Sequence, residues 1–532
     1  MKTNHNLLKI LLTLYFVAIA FMIHAQDEYV NVKGIVFEDS NKNLLLDSGE
    51  KGIPDVLISN QHDVVKTNED GEYMLQINNS EAILYVIKPR GYNVPLDENN
   101  LPRFYYIHKS QDSPKLKYPG MFATGEIPNR VNFPLLKTEP QDTFSFIAIS
   151  DPQPFTKQDL EYYRDDIVSE LVGNKADFSV VLGDIMYDDL SLFEPYNKMM
   201  SYLEMPVYNV SGNHDFNHYE ERNHHTLETY KRIYGPAYYA FEYGKASFII
   251  FNSVEWLDEK NSDNYRNYRG YIDEEQLNWF RNYLELIPDD QLLIFCMHVP
   301  FYNLNTNSSE HGYIANREEL FEIVQDRKNL LSLFGHWHSL SSINLTKEMG
   351  WHGETPFLQL VCSAASGQLW KGPEDERGIP VATQKDGTPN GYHIININGH
   401  NYSQRFKAAN HDENYQIRIS SPNGIIKASD IDSVPIIANF FNGNTMSELT
   451  CQIDDAPLLF MNYTPMVDPF FDKLFSNNKK DYAWWMSVET SYHIWTLNLP
   501  WDIKPGIHRL IVTATDQYGY KYRQCRIFEI AE

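Results

Sequence analysis

Five short stretches of this sequence end an apolar run in residues that can hold a metal ion. FSFIAISDPQ ends in Asp151 and Gln153, and FSVVLGDIMYDD carries Asp184. PVYNVSGNHD ends in Asn213, His214 and Asp215, LLIFCMHVPFY carries His298, and LLSLFGHWHS carries His336 and His338. Singly, each is weak. Gly-Asp is a common turn, a lone histidine after a strand is more often a satisfied structural residue, and GNHD also reads as a turn with an N-cap. GHWH says more, since two histidines at i and i+2 beyond a glycine can serve two adjacent ions. The ordered series of carboxylates, amides and imidazoles at strand ends points to metal chemistry, because ligands of open α/β sheets sit beyond the carboxyl ends of the strands. Mixed oxygen and imidazole donors suit Mn, Fe, Zn or Ni rather than calcium or a pure magnesium cage.

The elements that must position these residues follow from the pattern around them. From Thr143 to about Ile397, apolar strands alternate with amphipathic stretches such as QDLEYYRDDIVSELVGNKA and DEEQLNWFRNYLELI, the texture of an α/β domain. From Val30 to about Leu136 only short strands and turns occur (VNVKGIVFED, GIPDVLIS, TNEDGEYMLQI), which reads as a small all-β sandwich. Short strands return after Asn401 and close with GIHRLIVTATDQYGYKYRQCRIFEI, the pattern of a final hairpin in an Ig-like sandwich. The expected organisation is a signal peptide over 1–25, a β-sandwich over 26–137, the α/β domain over 140–400 and a second β-sandwich over 401–532.

The amino-terminal reading rests on Lys2 and Lys9, an apolar run from Ile10 to Ile23, and Ala25 before Gln26. That is a cleavable secretory signal more than a membrane span, because the run is short and polar sequence follows at once. An uncleaved anchor is the other reading. The first cysteine is Cys296, so no lipid-attachment residue stands at the cleavage point, and the expected location is secreted or periplasmic. No later stretch is long and apolar enough to span a bilayer. Cys296 and Cys362 read as buried free thiols, whereas Cys451 and Cys525 share the C-terminal region and could pair.

Asp and Glu total 71 against 45 Lys and Arg, a formal charge of −26. Such a surface repels polyanions, and no basic run exists to track a phosphate backbone, so no nucleic-acid partner is expected. A small anionic substrate is compatible with it, because a local metal charge overrides the global field.

The series D-x-Q, GD, GNHD, H and GHxH resembles the calcineurin-like metallophosphoesterase superfamily, which includes purple acid phosphatases. The flanks agree: GPAYYAFEYGKASFIIFNS (Gly235 to Ser253) is similar to that family's GPxYYSFxxG strand pair, QLNWFRNYL to its Q-x-x-W-L helix, and MHVPFY to its H-x-P-x-Y loop. The outer domains are similar to extensions of secreted bacterial members, and the first resembles prealbumin-like, B-repeat-type domains. The resemblance implies a four-layer α/β/β/α domain flanked by two all-β sandwich domains. It also implies two divalent or trivalent transition-metal ions (Mn, Fe, Zn or Ni), about 3.5–4 Å apart. Asp151, Gln153 and His338 would hold the first, Asn213, His298 and His336 the second, and Asp184 would bridge both. His214 would bind a phosphate oxygen and protonate the leaving group, with Asp215 orienting it. Most of the family carries D-x-H where this chain has Gln153. A neutral amide oxygen is a harder, weaker ligand than imidazole, and the alternative is a hydrogen bond outside the coordination sphere.

The implied activity is hydrolysis of phosphate esters by a hydroxide bound between two metals, most simply as a phosphatase on a small phosphorylated substrate. Alternatives are a phosphodiesterase or pyrophosphatase acting on a nucleotide or lipid headgroup, or, in another class, a surface binding protein with a degenerate catalytic domain. The ligands do not separate monoester from diester, and the sequence does not set the oligomeric state.

Other residues have two readings each. Asp188 can accept a hydrogen bond from a site histidine or cap a helix. His218, His224, His225, His311 and Tyr302 lie on loops after the motifs and read as solvated, and Trp337 reads as packing. In DSNKNLLLDSGE, residues Asp39, Asn41, Asn43, Leu45, Asp47 and Glu50 take the spacing of an EF-hand loop, with Leu44 where that loop has glycine. The loop reads as a structural Ca²⁺ site or as a solvated acidic turn.

Overall fold

A computed structural model describes residues 29–218, 225–260, 266–304 and 309–532; the expected signal peptide and His224 lie outside them. The central strands are β1 (Thr143–Ile149), β2 (Phe178–Val181), β3 (Val207–Asn209), β4 (Tyr239–Tyr243), β5 (Ala246–Ile250), β6 (Leu292–Cys296), β7 (Leu330–Phe334), β8 (Ser341–Asn344), β9 (Leu358–Val361), β10 (Gly391–Asn398) and β11 (Asn401–Ala408). They form two sheets, ordered β3-β2-β1-β10-β11 and β4-β5-β6-β7-β9-β8. Strands β1, β2 and β3 run parallel, as do β6 and β7, so within each sheet the expected ligand strands end at one edge, and the 3.1 Å approach of Asp184 to His298 brings the two edges together. Strands β2, β6 and β7 are buried along their whole length, which is why they read as unbroken apolar runs.

Aromatic rings lock the sheets together. Phe146 and Phe178 of the first sheet lie parallel with centroids 5.2 Å apart. Both meet Phe248 of the second edge-on, at 5.1 and 5.2 Å. Such pairs add about 0.5–1.5 kcal/mol each beyond the area they bury. On the outer face of the first sheet lies the helix Lys157–Tyr163, opened by a reciprocal Thr156–Asp159 capping box and continued through a π-helical segment, Arg164–Val168. The helix Glu274–Leu284, capped by Asp273, covers the second sheet, with Phe280 against Phe295 of β6 at 5.7 Å. The layers are therefore α/β/β/α.

Residues Tyr29–Lys137 build two four-stranded sheets, and the C-terminal part builds a four-stranded and a five-stranded sheet. The expected closing hairpin is present as Gly506–Thr515 paired antiparallel with Lys521–Ala531. Residues beyond the expected boundary at 400 still belong to the central fold: β11 pairs with β10 in one hairpin across Gly399 and His400, which completes the first sheet. The Asp39–Glu50 loop curls around Asp39, which is buried and accepts the backbone N–H of Asn43 and Leu44 at 3.2 and 2.9 Å. Leu44 supplies the left-handed turn at φ 66° that glycine usually makes. Asp47 takes the side-chain amides of Asn41 and Asn43 at 2.8 and 2.7 Å, so the loop is closed by its own groups.

Cys451 and Cys525 do not pair. The strand Gly506–Thr515 is hydrogen-bonded between their strands, with Cys451 facing the core and Cys525 facing solvent. Two strand spacings, about 9.6 Å, exceed the roughly 7 Å limit on Cα separation for a disulfide. Unreduced protein treated with iodoacetamide is therefore expected to be labelled at Cys525 when folded and at all four cysteines when denatured, read by peptide mass spectrometry. Label missing from Cys451 and Cys525 after denaturation would contradict the structure.

Candidate metal centre

Beyond the strands, tight turns carry the expected ligands, among them the Asp151–Pro152–Gln153 turn. Asp151 (φ 47°), Gln153 (φ 39°), Asp184 (φ 48°), His336 (φ 80°) and His338 (φ 53°) all adopt left-handed backbone. Each such residue costs about 1–3 kcal/mol and persists only where its surroundings over-determine it. Here the chain reverses two to four residues beyond the strand end and turns side chains toward the centre. Pro152 stiffens the reversal, its carbonyl accepts Trp370 Nε1–H at 2.9 Å, and the Ser150 and Asp151 carbonyls accept the N–H groups of Ala365 and Ser366 at 2.7 and 3.1 Å.

Around His298 the polar atoms converge as ion ligands do. Its Nε2 lies 3.1 Å from Asp184 Oδ2, 3.2 Å from Asn213 Oδ1 and 3.2 Å from His336 Nδ1. The other ring nitrogens are committed elsewhere. His298 Nδ1 donates to the Leu182 carbonyl and His336 Nε2 to the His311 carbonyl, both at 2.9 Å, and His338 Nδ1 donates to the Gly367 carbonyl. A carbonyl only accepts, so the protons sit on those nitrogens and the opposite lone pairs face inward. An amide oxygen, a carboxylate oxygen and two imidazole lone pairs thus meet at about the separation of atoms sharing one ion with bonds of about 2.1 Å. Burial disfavours a charged His298, yet Asp184 and Asp151 outweigh it and raise its pKa to about 9. Burial, reinforced by His298, holds His336 well below the usual imidazole range.

Beside this group lie Asp151, Gln153 and His338. Asp151 is fully buried, accepts Ser150 Oγ–H and the His336 N–H, and has its Oδ1 3.8 Å from His338 Nε2. Burial pushes its pKa up. Gln153 donates its amide NH₂ to Asp184 Oδ2 at 2.6 Å, and its Oε1 is buried with no partner. A buried acceptor without a donor fits an ion and is costly otherwise. Asp184, 2% exposed, touches both sets.

His214 lies just outside, its ring stacked on Tyr187 at 4.3 Å and its backbone N–H donated to Asp184 Oδ1. Its Nδ1 bonds Asp188 Oδ1 at 2.7 Å. Asp215 does not orient the ring as expected. It is fully buried and accepts the backbone N–H groups of Ile185, Met186 and Gly212, fastening the GNHD turn to the GD turn. The orienting carboxylate is Asp188, and the helix-capping role falls to Asp189. His218, read as solvated, is 3% exposed and places Nε2 2.5 Å from Asp188 Oδ1. The i, i+4 spacing of His214 and His218 in NHDFNH was the available signal. Burial opposes ionised Asp188, but the two histidines hold its pKa far below the usual range. Trp337, read as packing, lines the pocket over the centre and donates Nε1–H to the Gly312 carbonyl at 2.8 Å.

Two glycines make the close approach possible. A Cβ on Gly212 would overlap the backbone nitrogen and carboxylate of Asp184, and one on Gly335 would fall on Ser150 and Asp151. The pocket, about 590 Å³, is floored by Gln153, Asp184, Asn213, His214, His336 and His338.

Comparison with known proteins gives the family. The family model for calcineurin-like phosphoesterase matches residues 144–340. The models for the N terminal and C terminal of calcineurin-like phosphoesterase match residues 40–118 and 360–522. The chain belongs to the calcineurin-like metallophosphoesterase superfamily. It is a metal-dependent hydrolase acting on phosphate esters. No curated protein matches it. Among solved structures, a purple acid phosphatase isolated from yellow lupin (Lupinus luteus) seeds aligns over 72% of this chain and 70% of its own, with 12% identity and a TM-score of 0.35.

Gly212→Ala is expected to displace Asp184, lower stability by about 1–3 kcal/mol and cut bound transition metal below the native content, measured by urea unfolding and elemental analysis. Native metal content in this variant would show that the loop yields and the glycine is not required.

Proposed function

We propose that the protein is a phosphatase in which Asp151, Gln153, Asp184 and His338 hold one transition-metal ion and Asp184, Asn213, His298 and His336 hold a second. The observation that carries this reading is the convergence on His298 Nε2 of a carboxylate oxygen, an amide oxygen and a second imidazole nitrogen, all within 3.1–3.2 Å, which is a donor set that suits a cation. Two ions bound there would polarise the phosphoryl group, acidify an attacking water and balance the substrate's charge. The protein's own groups do the rest. Gly212 and Asp215 hold the bridging carboxylate in place. Backbone carbonyls orient the three imidazoles. Asp188 holds His214 Nδ1, which leaves the other ring nitrogen available to grip a phosphate oxygen and protonate the leaving oxygen. Gln153, a neutral oxygen donor, favours Mn, Mg or ferric iron over zinc at its site.

The test is hydrolysis of p-nitrophenyl phosphate and bis-p-nitrophenyl phosphate by metal-stripped protein after restoring Mn, Zn, Fe, Mg or Ni. Metal-dependent activity that disappears in Asp184→Ala is expected, with the monoester preferred. Preference for the diester would make the protein a phosphodiesterase. Silence with every metal, together with no metal in untreated protein, would make Gln153 the mark of a dead site and favour a binding protein.

Asp188→Asn keeps the shape and removes the charge that orients His214. Its kcat is expected to fall about 10- to 100-fold with metal content unchanged. An unchanged kcat would remove His214 from the proton path.

A further inference from the structure

A second histidine stands behind the one beside the metal centre. Asp188 meets the His214 ring through a single carboxylate oxygen, Oδ1, at 2.7 Å, and His218 places Nε2 2.5 Å from that same oxygen. A carboxylate oxygen only accepts, so His214 Nδ1 and His218 Nε2 both carry protons. One oxygen therefore receives two N–H groups. Atoms that share an ion at bonds of about 2.1 Å stand about 3 Å apart or more. Contacts of 2.5 and 2.7 Å are too short for that, so this trio is a hydrogen-bonded relay and not a third metal site.

The relay is held in place from several directions. His218 is 3% exposed, and its ring meets the buried Trp256 edge-on at 4.9 Å. Its neighbour Asn217 donates its backbone N–H to the Thr226 carbonyl at 2.8 Å and its amide to Thr229 Oγ1 at 2.7 Å. Thr229 Oγ1–H donates in turn to the Tyr118 carbonyl at 3.1 Å, and Tyr118 Oη–H donates to the Asp188 carbonyl at 3.0 Å. Tyr118 lies between the strands Tyr105–Lys109 and Phe133–Lys137, so a loop of the N-terminal domain ties the backbone of Asp188 to the segment that carries His218. Asp188 itself is left-handed at φ 64° and donates its N–H to the His214 carbonyl at 3.2 Å. A strained residue persists where its surroundings over-determine it.

The two rings beside Asp188 divide the work. Tyr187 stacks on the face of His214 at 4.3 Å and is met edge-on by Phe155 at 5.5 Å. A stack stops the imidazole from tilting and leaves it free to rotate in its own plane. The Asp188 contact sets that rotation. The Cβ–Cγ torsion of an aspartate is soft, so a carboxylate that accepted from His214 alone would turn with the ring. The second N–H, from His218, removes that freedom.

We propose that His218 is a positioning residue, fixing Asp188 so that His214 keeps one orientation and presents Nε2 to the leaving oxygen. This rests on the phosphatase reading above and deepens it. In the step concerned, the attacking water gives its oxygen to phosphorus and a proton to solvent. The P–O ester bond breaks, its electron pair stays on the leaving oxygen, and that oxygen takes the proton from His214 Nε2. Misplacing a catalytic group by about 1 Å costs about 100-fold, so the freedom of this ring matters.

The experiment measures kcat and KM for p-nitrophenyl phosphate and phenyl phosphate, using metal-loaded protein carrying His218→Asn or His218→Gln. Phenolate is the poorer leaving group and depends more on the proton. The glutamine amide nitrogen reaches the place of Nε2 and keeps an N–H there, and the shorter asparagine amide does not. His218→Asn is expected to lower kcat for phenyl phosphate about 10-fold more than for p-nitrophenyl phosphate, with KM and bound metal unchanged, and His218→Gln is expected to recover most of the loss. In Asp188→Asn protein, adding His218→Asn is expected to cost nothing further, because His218 acts through Asp188. Urea unfolding checks that the variants fold; if His218→Asn does not, His218→Met keeps the volume without the donor and carries the same expectations. An unchanged kcat, equal losses on the two esters, equal losses in the asparagine and glutamine variants, or losses that multiply with that of Asp188→Asn overturn the proposal and leave the phosphatase intact. Native protein that hydrolyses neither ester overturns the phosphatase reading itself.

Discussion

Asp184 sits where the two central sheets deliver their loops, 2% exposed, with His298 on one side and Gln153 on the other. A carboxylate buried this deeply is costly unless positive charge and hydrogen bonds meet it. Within the chain the His214 N–H, the Gln153 amide and the His298 ring serve Asp184, while Asp151, Asn213 and His336 crowd further acceptors around it. The rest of the architecture can be understood as what holds these acceptors together against their mutual repulsion. Buried parallel strands fix where each loop begins, the Phe146–Phe178–Phe248 cluster fixes one sheet on the other, and left-handed turns aim the side chains.

The two outer domains relate differently to that centre. The N-terminal one docks through a largely buried charge network, in which Lys109 meets Glu228 at 3.1 Å and Lys231 meets Glu81 at 3.0 Å, and none of its described residues lines the pocket. The C-terminal one builds the pocket wall. It is joined to the ligand loop through buried His493, whose Nε2 lies 3.0 Å from Asp386 Oδ2; the same carboxylate oxygen accepts the Leu340 N–H at 2.7 Å. Leu340 follows His338 by two residues, so a shift of the wall would reach the ligand loop through two hydrogen bonds. Asn439 and Thr388 complete the surroundings of His493. Buried polar networks of this kind favour a unique arrangement when fully satisfied.

The local parts of the site were legible because they are written within single segments. A buried strand followed by its chemical residues occupies about ten positions, and five such segments in order carry the family pattern. The sandwich texture and the closing hairpin were legible from alternation and turns. Asp215 was misread because its neighbour in sequence is His214, whereas its partners in space are the amides of Ile185, Met186 and Gly212. The boundary near residue 400 was misplaced because a strand's sheet is set by hydrogen bonds, which composition does not show.

By itself, then, the sequence determined which residue types stand at the strand ends, the α/β core between β-rich regions, and the substitution of Gln153 for the usual histidine. Tertiary structure alone decided which ring nitrogen of each histidine faces inward, because the deciding carbonyls, of Leu182, His311 and Gly367, lie 25 to 116 residues away. It also decided that Asp188 serves His214, that Cys451 and Cys525 stay apart, and that Trp484 shares a cavity with the metal centre. The physical reason is the same in each case: these features are distances between atoms of remote segments, and they exist only once the sheets have packed and the loops have closed over them.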